Sequence, residues 1–124
     1  PRILTVGIGC RRGKTKGEIL SAIESVFTQN NLSLKSIYSL ASIDLKRNEE
    51  GLINAAMELD RELYFYSAEQ LKTVSEQLEK SDFVNETTGV GAVCEPCALI
   101  SADKLIVKKS VLNGVTVAVG QINK

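Results

Sequence analysis

Along this chain, short apolar runs alternate with segments whose apolar residues recur every three or four places. Ile3 to Ile8 is the first run and predicts a strand leading into a glycine-rich turn, Gly7 to Gly13. Beyond the turn, Ile19, Leu20, Ile23, Val26 and Phe27 fall at helical spacing. Thr15 stands three residues before Glu18, the spacing of a capping box, so the first helix is expected to start at Lys16 and to stop near Asn30-Asn31. Ser36 to Ile43 predicts a second strand, with Ile37, Leu40 and Ala41 turned inward. After the Asp44–Asn48 loop, Leu52, Ile53, Ala56 and Leu59 make the stripe of a second helix, with Asn48 as its expected N-cap. Leu63 to Tyr66 predicts a third strand. Ser67 and Gln70 repeat the capping spacing, and Leu71, Val74 and Leu78 form a third helical stripe.

Past that point the pattern loosens. Ser81 to Thr88 reads as irregular or a short helix, followed by a second glycine-rich turn, Thr88-Gly89-Val90-Gly91. Ala92 to Ala102 reads as helical, with Pro96 in the first turn, where its missing N–H matters least. Lys104–Leu112 and Val115–Val119 flank Asn113-Gly114, a strong hairpin signal.

Three strand–helix alternations, then a helix and a hairpin, predict a three-layer α/β/α sandwich. Its sheet is expected to be mainly parallel and five-stranded, with an antiparallel C-terminal hairpin and strand order 3-2-1-4-5. The Gly9–Thr15 and Asp44–Asn48 loops then share the carboxyl edge, where such sheets bind ligands.

Composition narrows the function classes. At 124 residues the chain suits one domain, residues 1–124, and starting at Pro1 it is expected to be part of a longer protein. Fifteen basic and fifteen acidic residues cancel, which argues against a general nucleic-acid binder, and no apolar run is long enough for a bilayer span. Locally the charges separate: five basic and one acidic residue precede Ile19, and Arg11, Arg12, Lys14 and Lys16 crowd the first turn. Three cysteines without disulfide-type spacing point to a reducing cytoplasm. The absence of histidine excludes His-dependent triads and His-ligated metal.

Backbone N–H groups at a helix start, beside four cations, make the first turn the expected place for an acidic ligand. Gly13-Lys14-Thr15 resembles the end of a phosphate loop, but the position five residues before Gly13 is Ile8, so the nucleotide reading ranks below the others. Cys10, beside two arginines, is a candidate for a lowered thiol pKa or for an unreactive loop residue. Cys94 and Cys97 have redox or metal spacing, but neither a thioredoxin-type unit nor four ligands. Glu95, at a helix start, is either a ligand or base or a favourable helix charge.

Together these segments resemble the C-terminal domain of the cobalamin-biosynthesis protein CbiG. Gly7-Ile8-Gly9-Cys10-Arg11-Arg12-Gly13, Ser42-Ile43-Asp44-Leu45-Lys46 and Glu50-Gly51-Leu52 carry the likeness. Phe65-Tyr66-Ser67-Ala68-Glu69, the stretch from Thr88 to Glu95 and Gly114 to Val119 continue it in order. The resemblance implies a part of cobalt-precorrin-5A hydrolase, which opens a δ-lactone and releases acetaldehyde to give cobalt-precorrin-5B. CobE of the aerobic route is similar to this domain alone, so a non-catalytic corrinoid-binding module is the alternative. The implied partners are a cobalt-corrinoid intermediate, the N-terminal and central domains of the same protein and other enzymes of the B12 pathway. Nucleic acid, membrane, protein-held metal and a separate cofactor are not implied, since cobalt travels in the substrate. Gly9, Cys10, Arg11, Arg12, Gly13, Lys14, Thr15, Lys46, Gly89 and Gly91 are the expected substrate-binding residues, and Glu95 and Asp44 the expected catalytic carboxylates.

Overall fold

The computed structural model describes residues 2–81 and 93–123. In chain order the elements are β1 (Leu4–Cys10), α1 (Lys16–Gln29), β2 (Ile37–Ile43), α2 (Glu50–Leu59) and β3 (Glu62–Tyr66). They continue with α3 (Ala68–Ser81), α4 (Cys94–Leu99), β4 (Lys104–Leu112) and β5 (Val115–Gln121). The expected Thr88–Gly91 turn, with Gly89 and Gly91, lies outside the described residues, as do Asp82 to Thr88, Ala92 and the side chain of Leu78.

The strands form one sheet in the order β3-β2-β1-β5-β4. β1 pairs in parallel with β2, and β2 with β3, whereas β5 runs antiparallel to both β1 and β4. The α/β/α class and the hairpin therefore hold, with two corrections. β5, not β4, lies beside β1, and the ladders divide evenly instead of being mainly parallel. Side-chain character explains the swap. β5 carries no charge and is buried along most of its length, while β4 carries three lysines and is half-buried or exposed at every position but Val107. A lysine-bearing strand is suited to a sheet edge, where charge discourages further pairing.

Alternation along β1 builds both layers. Leu4, Val6, Ile8 and Cys10 face α1 and α2, meeting Ile19, Ile23, Val26, Phe27, Leu52 and Ala55 in the main core. On the opposite face Thr5 donates its hydroxyl hydrogen to the Ala98 carbonyl of α4. Gly7 admits that helix: a Cβ there would overlap the Cys94 carbonyl oxygen and the Ala98 nitrogen. α3 joins the same layer through Leu71, which packs with Ala41 and Cys97.

Local signals also meet their expectations in most places. Thr15 and Glu18 form the capping box at the start of α1, and Ser67 and Gln70 exchange the equivalent bonds at α3. Asn113 and Gly114 both have positive φ, as a tight hairpin turn requires. Two boundaries differ. The N-cap of α2 is Glu49, not Asn48. α4 stops at Leu99 instead of reaching Ala102, because the chain turns to bond Asp103 N–H to the Gln121 carbonyl and start the edge strand. Among the described residues no helix is long and apolar enough to cross a membrane.

The glycine contacts predict opposite effects for two alanine substitutions. Gly7→Ala should destabilise the domain by about 3 kcal/mol, since the obstacle is backbone on both sides. Gly17→Ala, exposed in the first turn of α1 with its nearest neighbour 3.9 Å away, should stabilise it by about 0.4–1 kcal/mol. Urea unfolding of the two variants measures both.

Candidate functional site

Three connections meet at the carboxyl edge of the sheet: the loop after β1, the turn after β2 and the β4–β5 hairpin. The hairpin arrives there because β5 runs antiparallel to β1, pairing Cys10 with Val115, and the Arg11 N–H donates to the Gly114 carbonyl at 3.2 Å. Gly114 leaves room for the side chains of Lys14 and Arg11. After β2 the chain makes a single 3-10 turn, Asp44–Lys46, before α2 begins. Gly51 lets the start of α2 rest on the Lys14–Thr15 backbone, where a Cβ would collide with the Lys14 carbonyl. The Glu49 carboxylate then accepts the Gly13 N–H at 3.0 Å.

These connections enclose a cleft of about 1080 Å³. Of the expected binding residues, Gly9, Cys10, Arg11, Arg12 and Lys46 line it. Gly13, Lys14 and Thr15 belong to the same loop, but their polar groups turn to the protein. Gly13 N–H is taken by Glu49, Lys14 Nζ lies 3.5 Å from Glu18, and Thr15 caps α1. Those commitments occupy groups that a phosphate loop would aim at its ligand, so the nucleotide alternative gains no support from this loop.

The expected catalytic carboxylates stand apart from the cleft lining. The Asp44 carbonyl accepts the Arg47 N–H in the 3-10 turn, and its side chain is not among the lining groups. Glu95 Oε2 accepts the Lys109 N–H at 2.7 Å, where the register of β4 shifts between Val107 and Ser110. It serves a bulge in the edge strand. The carboxylate that does line the cleft is Glu49, alone in this among the described residues.

Sequence reasoning also missed the apolar walls. Leu45 is 82% exposed and Val111 63%, and both line the cleft with Ile43 and Val93. Thr116 contributes its hydroxyl, which donates to the Gly9 carbonyl at 3.2 Å. Placing β5 beside β1, inside the edge strand β4, was the information needed to find Val111 and Thr116. An apolar residue between charged neighbours, as Leu45 is between Asp44 and Lys46, was a readable signal.

The cysteines are free and buried. Burial pushes the Cys10 thiol above its ordinary value despite Lys46 and Lys14 nearby, so desolvation outweighs the cations. Burial raises Cys94 to about 11, opposed by a hydrogen bond with Thr116, and raises Cys97 further, with Cys94 adding to the effect. Nucleophilic chemistry from Cys10 thus loses the support that its arginine neighbours suggested. Among the described residues no group of three or more His, Cys, Asp or Glu could hold a metal ion.

The fold and site define an open α/β/α domain with a cationic, apolar-walled cleft at the carboxyl edge. Residues 4–120 match the family model described as Cobalamin synthesis G C-terminus, and the chain belongs to that family. It is 37% identical over 124 residues to the cobalt-precorrin-5A hydrolase of Priestia megaterium, covering 98% of this chain and 33% of that protein. The crystal structure of CobE, a protein from the cobalamin (vitamin B12) biosynthetic pathway, superposes with a TM-score of 0.82 at 28% identity, covering 99% of this chain and 92% of that one. The cobalamin biosynthesis protein chiG of Agrobacterium tumefaciens gives 0.79 at 29% identity, covering 98% and 99%. The chain thus spans about a third of that hydrolase and 92% of the chain in the CobE crystal structure.

The buried thiols set a pH limit on stability. Unfolded, Cys94 ionises near 9.0; folded, it holds its proton to about 11, so the native state binds more protons across that window. Stability should be intact below pH 9 and fall by about 2–3 kcal/mol from Cys94 as pH rises to 11. Urea midpoints measured across this range check it, and Cys94→Ala should flatten the decline.

Proposed function

We propose that this chain is the corrinoid-holding part of a cobalt-precorrin-5A hydrolase, gripping the acid-fringed macrocycle in the cleft at the carboxyl edge. One observation carries the reading: Arg11, Arg12 and Lys46 line the same cavity as the exposed Leu45 and Val111. A corrin precursor has acetate and propionate arms around a flat, largely apolar ring, so it needs cations and apolar walls together. The identity with the Priestia megaterium hydrolase supports the substrate, and in the longer protein the remaining domains would complete the catalytic surroundings. Free cysteines agree with a reducing compartment, the cytoplasm.

A second reading, a separate corrinoid-binding module, is favoured by the near-complete overlap with the CobE chain. Incubating the chain with cobalt-precorrin-5A separates the two. Acetaldehyde release by this chain supports the hydrolase reading. A shift in the visible spectrum without release, unchanged when the remaining hydrolase domains are added, supports the module, and no shift at all defeats both.

Arg11→Ala and Arg12→Ala should each weaken cobalt-precorrin-5A binding about tenfold, the scale of one charge-assisted hydrogen bond partly open to water. That loss should shrink at high salt, because exposed charges are screened. Leu45→Ser should also weaken binding several-fold, with little dependence on salt. Spectral titrations at two ionic strengths distinguish these contributions.

A further inference from the structure

We propose that Glu49 is the general base that activates water against the lactone carbonyl, a role that rests on the corrinoid reading of the cleft. Four observations converge on it. Glu49 is the carboxylate in the cavity lining among the described residues, while the Glu95 carboxylate serves β4. Its carboxylate makes no capping bond to its own helix and is instead oriented by the Gly13 N–H at 3.0 Å. The chain has no histidine to compete for the role. Burial keeps the cleft thiol, Cys10, protonated.

Glu49 therefore stands at the mouth where the cations hold the acid arms, with one oxygen steadied by backbone. A carboxylate within hydrogen-bond reach of a water can take its proton as the oxygen attacks. Water oxygen forms a bond to the lactone carbonyl carbon as Glu49 takes its proton. The tetrahedral intermediate collapses with cleavage of the ring C–O bond, and Glu49 returns the proton to the departing alkoxide. The products are a carboxylic acid and an alcohol, and Glu49 ends as it began. Cleavage of the carbon–carbon bond behind that alcohol then releases acetaldehyde, the hydroxyl becoming the aldehyde oxygen while its proton replaces the lost group on the ring carbon. Arg11, Arg12 or Lys46 supplies positive charge for the transient oxyanion.

Glu49→Gln tests the assignment cleanly, because the amide oxygen can still accept the Gly13 N–H and hold the loop. Built into the full-length hydrolase, with cobalt-precorrin-5A as the probe, the variant should keep its urea midpoint and bind the corrinoid as tightly as the parent or tighter. Its rate of acetaldehyde release should fall at least 100-fold. Glu49→Asp should recover part of that rate. Equal turnover by parent and Glu49→Gln overturns the assignment, as does a larger loss in Asp44→Asn or Glu95→Gln. Binding without turnover by the full-length hydrolase that carries this chain overturns the base and leaves the corrinoid reading standing. Failure of the parent to bind defeats the corrinoid reading itself.

Discussion

The carboxyl edge of this domain depends on how the start of α2 clasps the loop after β1. Gly51 removes the one methyl that would hold the two backbones apart, and the Glu49 carboxylate closes the gap onto the Gly13 N–H. A charge-assisted bond of this type contributes on the order of 1.5–3 kcal/mol when sheltered, and less at an exposed loop. Its geometric effect is larger than its energy. It turns two separate strand ends into one wall, bringing Arg11 and Arg12 into a cavity shared with Leu45 and Lys46.

Behind that wall, α4 lies against β1 because small residues face each other at every level. Gly7 meets the backbone of Cys94 and Ala98, and Gly120 meets the Ala98 carbonyl and Ala102. The Cys94–Ala98–Ala118 cluster fills what space remains. So close an approach excludes water from both helix cysteines, which is the physical cause of their raised thiol pKa values. Spacing that resembles a redox pair is here a requirement for small, apolar side chains. The cysteines are packing residues.

Much of this arrangement was readable in the chain, for identifiable reasons. Thr15 with Glu18, Ser67 with Gln70, and Asn113-Gly114 are local devices whose partners lie within a few residues, and each appears where expected. Strand order is not local. The lysines of β4 against the uncharged β5 marked which belonged at the edge, but adjacency in sequence favoured placing β4 beside β1. That error carried over into the site. With β5 moved to the edge, Val111 and Thr116 drop out of view, and Glu95 seems free when it is in fact satisfying the bulge at Lys109. Glu49 was hidden for a different reason. A glutamate beside a helix start already has an adequate explanation in the helix dipole, and only the Gly13 contact shows that it faces the other way.

A chain with no net charge can still present a positive mouth, because screening confines each surface charge to roughly 8 Å at physiological salt. Among the described residues, the cleft lining sets Arg11, Arg12 and Lys46 against one carboxylate, Glu49. Many of the acidic residues lie elsewhere, among them Glu58 on α2, paired with Lys16 at 3.4 Å, and Glu69 and Glu76 on α3. Overall neutrality therefore says little about preference for an acidic ligand. The distribution created by the Glu49–Gly13 clasp says more, since it gathers the cations at the mouth and keeps one carboxylate among them. The clasp thus fixes where that carboxylate sits among the cations of the described lining.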